Sequence, residues 1–393
     1  MTDTRESARF FYGLDGLRAI AAFSVVIHHV ADLLTIYGYK NIGIFQRFFL
    51  PGYDDVVCFF VLSGFLITYQ LLQQQEKQGV IQFKGFYLRR ILRICPLYFL
   101  IIFISSLIYL FLKEHIPPSL IQHHPLKSFL LLVFFLPNIA VATDNPILGS
   151  GPLWSLGIEL QFYLLWPLLI KYFKSHMIIM MISVFILQWL YSIVTTCLVS
   201  LGYHNACLDL LAQGRYIFPY GNMAVGGISA WLIYTKRNKI LQIIYHPVMQ
   251  LIAYTAICFF IYIQNWFSGA VHPLFEKFIM GIMPCIFMII VLNISSNTKS
   301  LLLLRNSFLN YLGKISYGIY MFHSTVIFMM INIYSSYHWQ HFEFITLIYL
   351  STILVTIIIA AMSFHTFEAY FLQFKRKKLP TTQLSYIPRM NEL

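Results

Sequence analysis

The stretch LDGLRAIAAFSVVIHHV, residues 14–30, decides the fold of this chain. It is apolar enough to begin a membrane-spanning helix, yet it carries Arg18 and His29 within the apolar run. Eleven residues separate the two, which is three helical turns plus about 20° at about 100° per residue, so they share one helix face about 16 Å apart. Ionisable groups are costly at membrane depth, and they indicate a functional site by default.

The whole chain has the composition of a membrane protein. Hydrophobic residues make up 59% of its 393 residues and charged residues 11%, and a soluble domain carries roughly twice that charge. Its 27 Lys and Arg residues outnumber its 15 acidic residues. In a membrane protein such an excess orients the chain and attracts anionic lipid or ligand, so we expect a lipid bilayer and no nucleic acid as partner. The composition predicts an all-α, polytopic transmembrane helical bundle.

Ten stretches are long enough to span a bilayer, at about 20 residues each. They lie near 17–37, 55–74, 92–112, 152–171, 177–200, 216–234, 248–266, 278–295, 311–334 and 344–371. An eleventh candidate, at 128–142, is shorter and contains Pro137 and Asn138.

The distribution of basic residues argues against an eleventh span. With ten helices both termini lie on one side, and 21 of the 27 Lys and Arg residues face the cytoplasm, as the positive-inside rule requires. We therefore predict ten spanning helices, N-in and C-in, with 128–142 interfacial, re-entrant or packed among the others. Residues 1–371 form the membrane domain, and 372–393 are predicted to be a disordered, basic cytoplasmic tail.

His29 is the first candidate for chemistry. Asp32 follows it by three residues, close enough on a helix to hydrogen-bond its ring, to fix its tautomer and to support a general base. Alternatively, His29 is a structural histidine between helices, or Asp32 pairs with His28 instead. Asp15 is three residues before Arg18 and is placed to pair with it at the cytoplasmic mouth.

A second group of charges opens the third apolar segment. Arg89, Arg90 and Arg93 follow one another in FKGFYLRRILRICPLYF, and Arg90 and Arg93 are neighbours on one helix face. Guanidinium groups at a helix N-terminus bind phosphates well. The alternative is that these arginines only set the topology of the chain.

Three further polar residues interrupt apolar segments. Glu159 and Tyr163 lie in LWSLGIELQFYLLWPLL, and His323 follows Ser316 and Tyr317 in the segment 311–334. A carboxylate at the depth of Glu159 is protonated, paired with a cation or hydrated. It either orients a substrate or pairs with an arginine. Ser63 has no general base beside it in sequence, and we interpret VLSGFLIT as small-residue helix packing.

Taken together, these segments resemble the acyltransferase family 3 membrane proteins, which acylate sugars and other cell-surface or secreted molecules. Sequences of this family begin with an Arg or Lys that is followed by ten residues and then by an essential His. Counted from Arg18, this spacing selects His29 over His28. FFVLSGFLIT, RRILRICPLYF, LWSLGIELQFYLLWPLL, LGKISYGIYMFH and SFHTFEAYF follow in the family's order over about residues 12–371. Two departures are Val57, where the family usually has Asp, and the absence of proline two residues after Glu368.

The resemblance implies a donor, an acceptor and a set of site residues. The donor is acyl-CoA, most often acetyl-CoA, used as a substrate from the cytoplasm, and we expect no bound cofactor and no metal. Its phosphates meet Arg90 and Arg93, with Arg89 and Arg18 nearby, while its thioester points towards His29. The residues assigned to catalysis are then His29, Arg18 and Asp32. The residues assigned to substrate binding are Glu159, Tyr163 and His323.

The expected acceptor is a hydroxyl of a glycan or lipid-linked sugar of the cell envelope, such as lipopolysaccharide, at the plasma membrane of a bacterium. His29 either deprotonates this hydroxyl for direct attack or carries the acyl group itself, and the sequence does not separate the two. The competing class is a transporter or flippase. Against it, the hydropathy shows no paired broken helices in two matching halves.

Overall fold

The computed structural model describes residues 11, 13–39, 48–49, 52–266, 273–337 and 340–378, and every regular element within these ranges is helical. The prediction of an all-α helical bundle is therefore confirmed. The α-helices are α1 Leu14–Ile36, α2 Gly52–Gln78, α3 Phe83–Leu112, α4 Pro125–Val133, α5 Pro137–Thr143, α6 Leu153–Tyr172, α7 Met177–Ser200, α8 Ala206–Ala212, α9 Gly214–Ile217, α10 Tyr220–Tyr234, α11 Asn238–Tyr245, α12 Pro247–Trp266, α13 Pro273–Ser296, α14 Ser307–Ser335, α15 His341–Ser363 and α16 Ala369–Lys378.

Each of the ten predicted spans coincides with helix, but the helices differ in length and polarity. Within the described ranges, seven helices are long and apolar enough to cross a membrane, or eight if α11 and α12, bent by 58° at their junction, form one span. The sixth predicted span is divided into α9 and α10, and α10 has only 15 residues. The ninth corresponds to α14, which is long but rich in polar side chains. The count of ten and the orientation of the termini remain predictions.

Residues 128–142 form no single helix. They fall in α4 and α5, of nine and seven residues, each with a proline in its first turn. Between them Phe135 adopts a positive φ of 61°, which reverses the chain. Neither helix is long enough to cross a bilayer, in agreement with the interpretation of this segment as non-spanning.

Two closely packed helix pairs frame the centre of the bundle. α2 lies against α10, where a Cβ added at Gly64 would lie 1.9 Å from the carbonyl oxygen of Met223, and one at Gly226 would lie 2.0 Å from that of Val61. α1 lies against α14 in the same way at Gly313. Small residues permit this approach of helix backbones in membranes, which confirms helix packing as one role of VLSGFLIT.

The structure changes two expectations about helix ends. α3 begins at Phe83, so Arg89, Arg90 and Arg93 lie within the helix and not at its N-terminus, because a helix continues beyond its apolar part. At the other end of the chain, a π-helical turn over Phe364–Glu368 leads into α16, which continues to Lys378. The predicted boundary at residue 371 therefore falls inside a helix. The rest of the predicted tail, 379–393, lies outside the described residues.

Candidate active site

A cavity lies at the centre of the bundle, between α1, α2, α3, α6 and α14. Its empty space, with the open solvent at its mouth included, is about 880 Å³. On α2 its lining extends from Val56 to Ile67, about 16 Å along the helix axis at about 1.5 Å per residue. The polar or charged lining residues are Arg18, Ser63, Arg90, Arg93, Ser155, Glu159, Tyr163, Ser316, Tyr317 and Tyr320.

Two arginines of the cavity are held by neighbouring side chains. Arg18 forms the predicted ion pair with Asp15 at 3.0 Å. Arg90 donates a hydrogen bond to Gln70 at 2.7 Å, and its guanidinium lies 5.4 Å from the centre of the Tyr163 ring. A cation over an aromatic face is attracted by the ring, so this contact helps to hold the guanidinium of Arg90 in place.

Arg93 lines the same cavity from one turn further along α3. The π-helical turn directs the buried carboxylate of Glu368 towards it, and the two groups interact electrostatically. Arg89, the third arginine predicted to bind the donor, is not among the described lining residues. The structure thus gathers Arg18, Arg90 and Arg93 and leaves Arg89 outside.

Glu159 is the carboxylate of α6 that faces the cavity. It accepts short hydrogen bonds from the hydroxyl groups of Ser63 and Tyr163. Its charged neighbours are Arg90, Arg18 and Arg93. The lining itself therefore carries three cations and one anion, while Asp15 and Glu368 accompany Arg18 and Arg93 from outside the lining. Guanidinium groups in such a lining bind anionic groups through charge-assisted hydrogen bonds.

At its inner end the cavity reaches Ser155 and Tyr320, whose hydroxyl oxygens are 2.7 Å apart. One turn beyond Tyr320 on α14, the fully buried His323 contacts His29: its Nε2 atom lies 3.1 Å from Nδ1 of His29. His29 itself is not among the residues that line the cavity. It lies beside His323, where α1 packs on α14.

The structure does not reproduce the expected contact between Asp32 and His29. Asp32 is exposed, its electrostatic partner is His28, and no hydrogen bond among the described residues joins it to His29. Helix α1 directs the His29 ring towards α14, and Asp32 lies outside that contact. His323, predicted to bind substrate, takes the position beside the His29 ring.

Several residues of the site were not singled out by sequence. Ser63 was interpreted as packing, yet its hydroxyl faces the cavity. Tyr317 and Tyr320 lie three residues apart, and His323 three further on, which keeps them near one face of a helix. The spacing of these polar residues at intervals of three in an otherwise apolar segment was the sequence signal that could have identified them.

Comparison with known proteins identifies a family and several relatives. The family model described as an acyltransferase domain matches residues 11–363. "Putative O-acetyltransferase SAR0937" of Staphylococcus aureus (strain MRSA252) is 26% identical over 408 residues, covering 97% of this chain and 60% of that protein. "Peptidoglycan O-acetyltransferase OatA" of Listeria monocytogenes serovar 1/2a is 33% identical over 171 residues, covering 42% of this chain and 25% of that protein. The chain thus spans about 60% of the length of the staphylococcal relative. No solved structure matches the chain.

Proposed function

Since this chain belongs to the family of the acyltransferase domain and is a multi-pass membrane protein, we propose that it is a membrane O-acyltransferase. It moves an acyl group, in the first instance acetyl, from acyl-CoA to a hydroxyl of a cell-envelope glycan or lipid-linked sugar. The relatives named as O-acetyltransferases support this reaction type. The acceptor class is supported by the peptidoglycan O-acetyltransferase among them.

The observation that carries the proposal is the arginine-lined cavity between α1 and α3. Acyl-CoA bears a diphosphate and a 3′-phosphate, and guanidinium groups bind such anions through paired, charge-assisted hydrogen bonds. Arg18, Arg90 and Arg93 offer these donors in one cavity. The lining also includes apolar side chains, among them Phe59, Phe60 and Leu156, which suit the pantetheine arm and its thioester.

The reacting atoms meet beyond the inner end of the cavity, past Tyr320, because His29 does not itself line the cavity. His29 accepts the proton of the acceptor hydroxyl, and the oxygen attacks the thioester carbonyl carbon. The C–S bond then breaks, and the proton returns from His29 to the departing thiolate, so that CoA leaves as a thiol. A covalent acyl-histidine is the alternative route through the same residue.

We place the donor on the cytoplasmic side of the plasma membrane of a bacterial cell. This orientation rests on the distribution of basic residues, which puts the arginine end of the cavity towards the cytoplasm. An acceptor on the outer side then approaches His29 from the other face of α1 and α14, which gives acyl transfer across the bilayer.

The test uses membranes with the full-length protein and acetyl-CoA labelled in its acetyl group. Wild type is compared at equal protein levels with His29→Ala and, as a matched neighbour, His28→Asn. Two quantities are measured, the release of CoA thiol and the label in extracted envelope glycans, whose mass spectra identify the acceptor. We expect both signals with wild type and His28→Asn and neither with His29→Ala.

Other results overturn defined parts of the proposal. Equal labelling with His29→Ala removes His29 from the reaction and leaves the acyltransferase intact. No CoA release and no label with wild type refutes acyl transfer from acetyl-CoA. Movement of an unmodified glycan or lipid across the membrane, without CoA release, makes the protein a transporter.

A further inference from the structure

Two successive hydrogen-bond contacts determine which nitrogen of His29 carries a proton. The first joins the Tyr320 carbonyl to His323 within α14, and the second joins His323 to His29 on α1. Nδ1 of His323 lies 2.7 Å from the carbonyl oxygen of Tyr320, and Nε2 of His323 lies 3.1 Å from Nδ1 of His29. A backbone carbonyl only accepts hydrogen bonds. The proton of the first contact therefore belongs to Nδ1 of His323.

The state of the His323 ring then follows from its surroundings. The side chain is fully buried, and no hydrogen bond joins it to a carboxylate in the part of the chain that the structure describes. Burial without a counter-charge favours the neutral imidazole. A neutral imidazole has one donor and one acceptor nitrogen, so Nε2 of His323 is an acceptor, and Nδ1 of His29 donates to it.

We propose that His323 is the positioning residue for His29, fixing the tautomer in which Nδ1 is protonated and Nε2 is the base. This inference rests on the proposed function. Nε2 of His29 takes the proton as the acceptor O–H bond breaks and the bond from oxygen to the thioester carbon forms. The positive charge that develops on His29 strengthens its Nδ1–H bond to His323. His323 itself gains and loses no proton.

The arrangement differs from the usual support of a catalytic histidine by a carboxylate. A neutral imidazole orients the ring without a negative charge beside it. Asp32, the carboxylate closest in sequence, is exposed and interacts with His28. Tyr320 joins both parts of the site, since its carbonyl holds His323 while its hydroxyl lines the cavity.

The test compares polar substitutions of His323 that differ in reach. In His323→Gln the amide oxygen extends far enough to accept from Nδ1 of His29, whereas the shorter side chain of His323→Asn does not reach it. We measure CoA release from acetyl-CoA by the full-length protein in membranes, with kcat, KM and the pH dependence of kcat/KM. Thermal unfolding of each purified variant shows that it is folded.

We expect His323→Asn to lower kcat about 10²-fold, the contribution of a correctly presented general base, with KM for acetyl-CoA changed less than severalfold. We expect His323→Gln to retain kcat within about tenfold. The pH at half-maximal kcat/KM is expected to move in His323→Asn, since the hydrogen bond that stabilises charged His29 is lost. His28→Asn is expected to leave kcat and the pH profile unchanged.

Two outcomes overturn the inference. The first is a folded His323→Asn protein with wild-type kcat and pH profile. The second is a loss of kcat and a shifted profile in Asp32→Asn, with His323→Asn unaffected. Both presuppose an active wild type that His29→Ala inactivates, so the absence of any wild-type CoA release is a failure of the proposed function instead.

Discussion

The hydroxyl of Ser63 on α2 donates a hydrogen bond to the carboxylate of Glu159 on α6, inside the central cavity. Tyr163, one turn after Glu159, donates a second one. These contacts hold a single carboxylate where the side chains of three arginines converge. An anion in this place limits how strongly the cavity attracts phosphate, and it fixes the ring on which Arg90 rests.

Glu159→Gln is expected to lower turnover of acetyl-CoA by about 10- to 100-fold. This factor corresponds to the free energy of the hydrogen bonds that a charged carboxylate accepts, about 1.5–3 kcal/mol. Binding of CoA is expected to become tighter or to stay the same, because a negative charge beside three arginines is removed. Titration calorimetry on the purified protein measures the Kd, and Ser63→Ala serves as a milder comparison. Weaker CoA binding in Glu159→Gln would mean that this carboxylate contacts the donor directly.

Replacing both Arg90 and Arg93 with Ala is expected to weaken CoA binding by at least about 10²-fold, since each charge-assisted hydrogen bond contributes about 1.5–3 kcal/mol. The affinity of the wild type is expected to fall as salt is raised. Lys84→Ala, an exposed cation on the same helix, is the matched control and is expected to bind like wild type. Equal Kd values for all three proteins would exclude these arginines from the donor site.

Gly64→Ala is expected to destabilise the fold by about 1–3 kcal/mol or more. The new methyl group meets the backbone of Met223, with its Cβ 1.9 Å from the carbonyl oxygen, so α2 and α10 are forced apart. Gly151→Ala is the control, because a Cβ there has no neighbour closer than 3.9 Å. Thermal unfolding in detergent measures both, and an unchanged Tm for Gly64→Ala would contradict the close helix contact.

The connection between α3 and α6, residues 113–152, is expected to loosen in acid because the carboxylate of Asp144 becomes protonated. Partial burial opposes ionisation of its carboxylate, but the backbone N–H groups of His124, Asn145 and His123 lower its pKa below the usual value. A lowered pKa in the folded state stabilises the connection above the unfolded pKa of about 3.9, and this contribution is lost as the pH falls through the folded value. The protection of the amides of His123 and His124 against hydrogen exchange, measured as the exchange rate relative to the intrinsic rate at each pH, is expected to fall over that range. Asp144→Asn should abolish this pH dependence, and an identical profile in the variant would refute it.

The sequence alone determined the features that depend on local spacing or on mean hydropathy. Burial of apolar side chains in lipid requires long helices, so the positions of the helices were predicted well. The pairing of Asp15 with Arg18 follows from a separation of three residues on one helix. Arg90 and Arg93 were likewise predicted to share a face, and both line the cavity.

Only the tertiary structure decided which distant side chains meet. His29 and His323 are 294 residues apart in sequence, and no local pattern relates them. Spacing on α1 favoured Asp32 as the partner of His29, but the packing of α1 against α14 turns the ring away from it. Ser63 and Glu159 meet for the same reason, because α2 and α6 converge on one cavity. Hydropathy determines which segments become helices, whereas the rotation and crossing of each helix are fixed by close packing with its neighbours, and these decide the site.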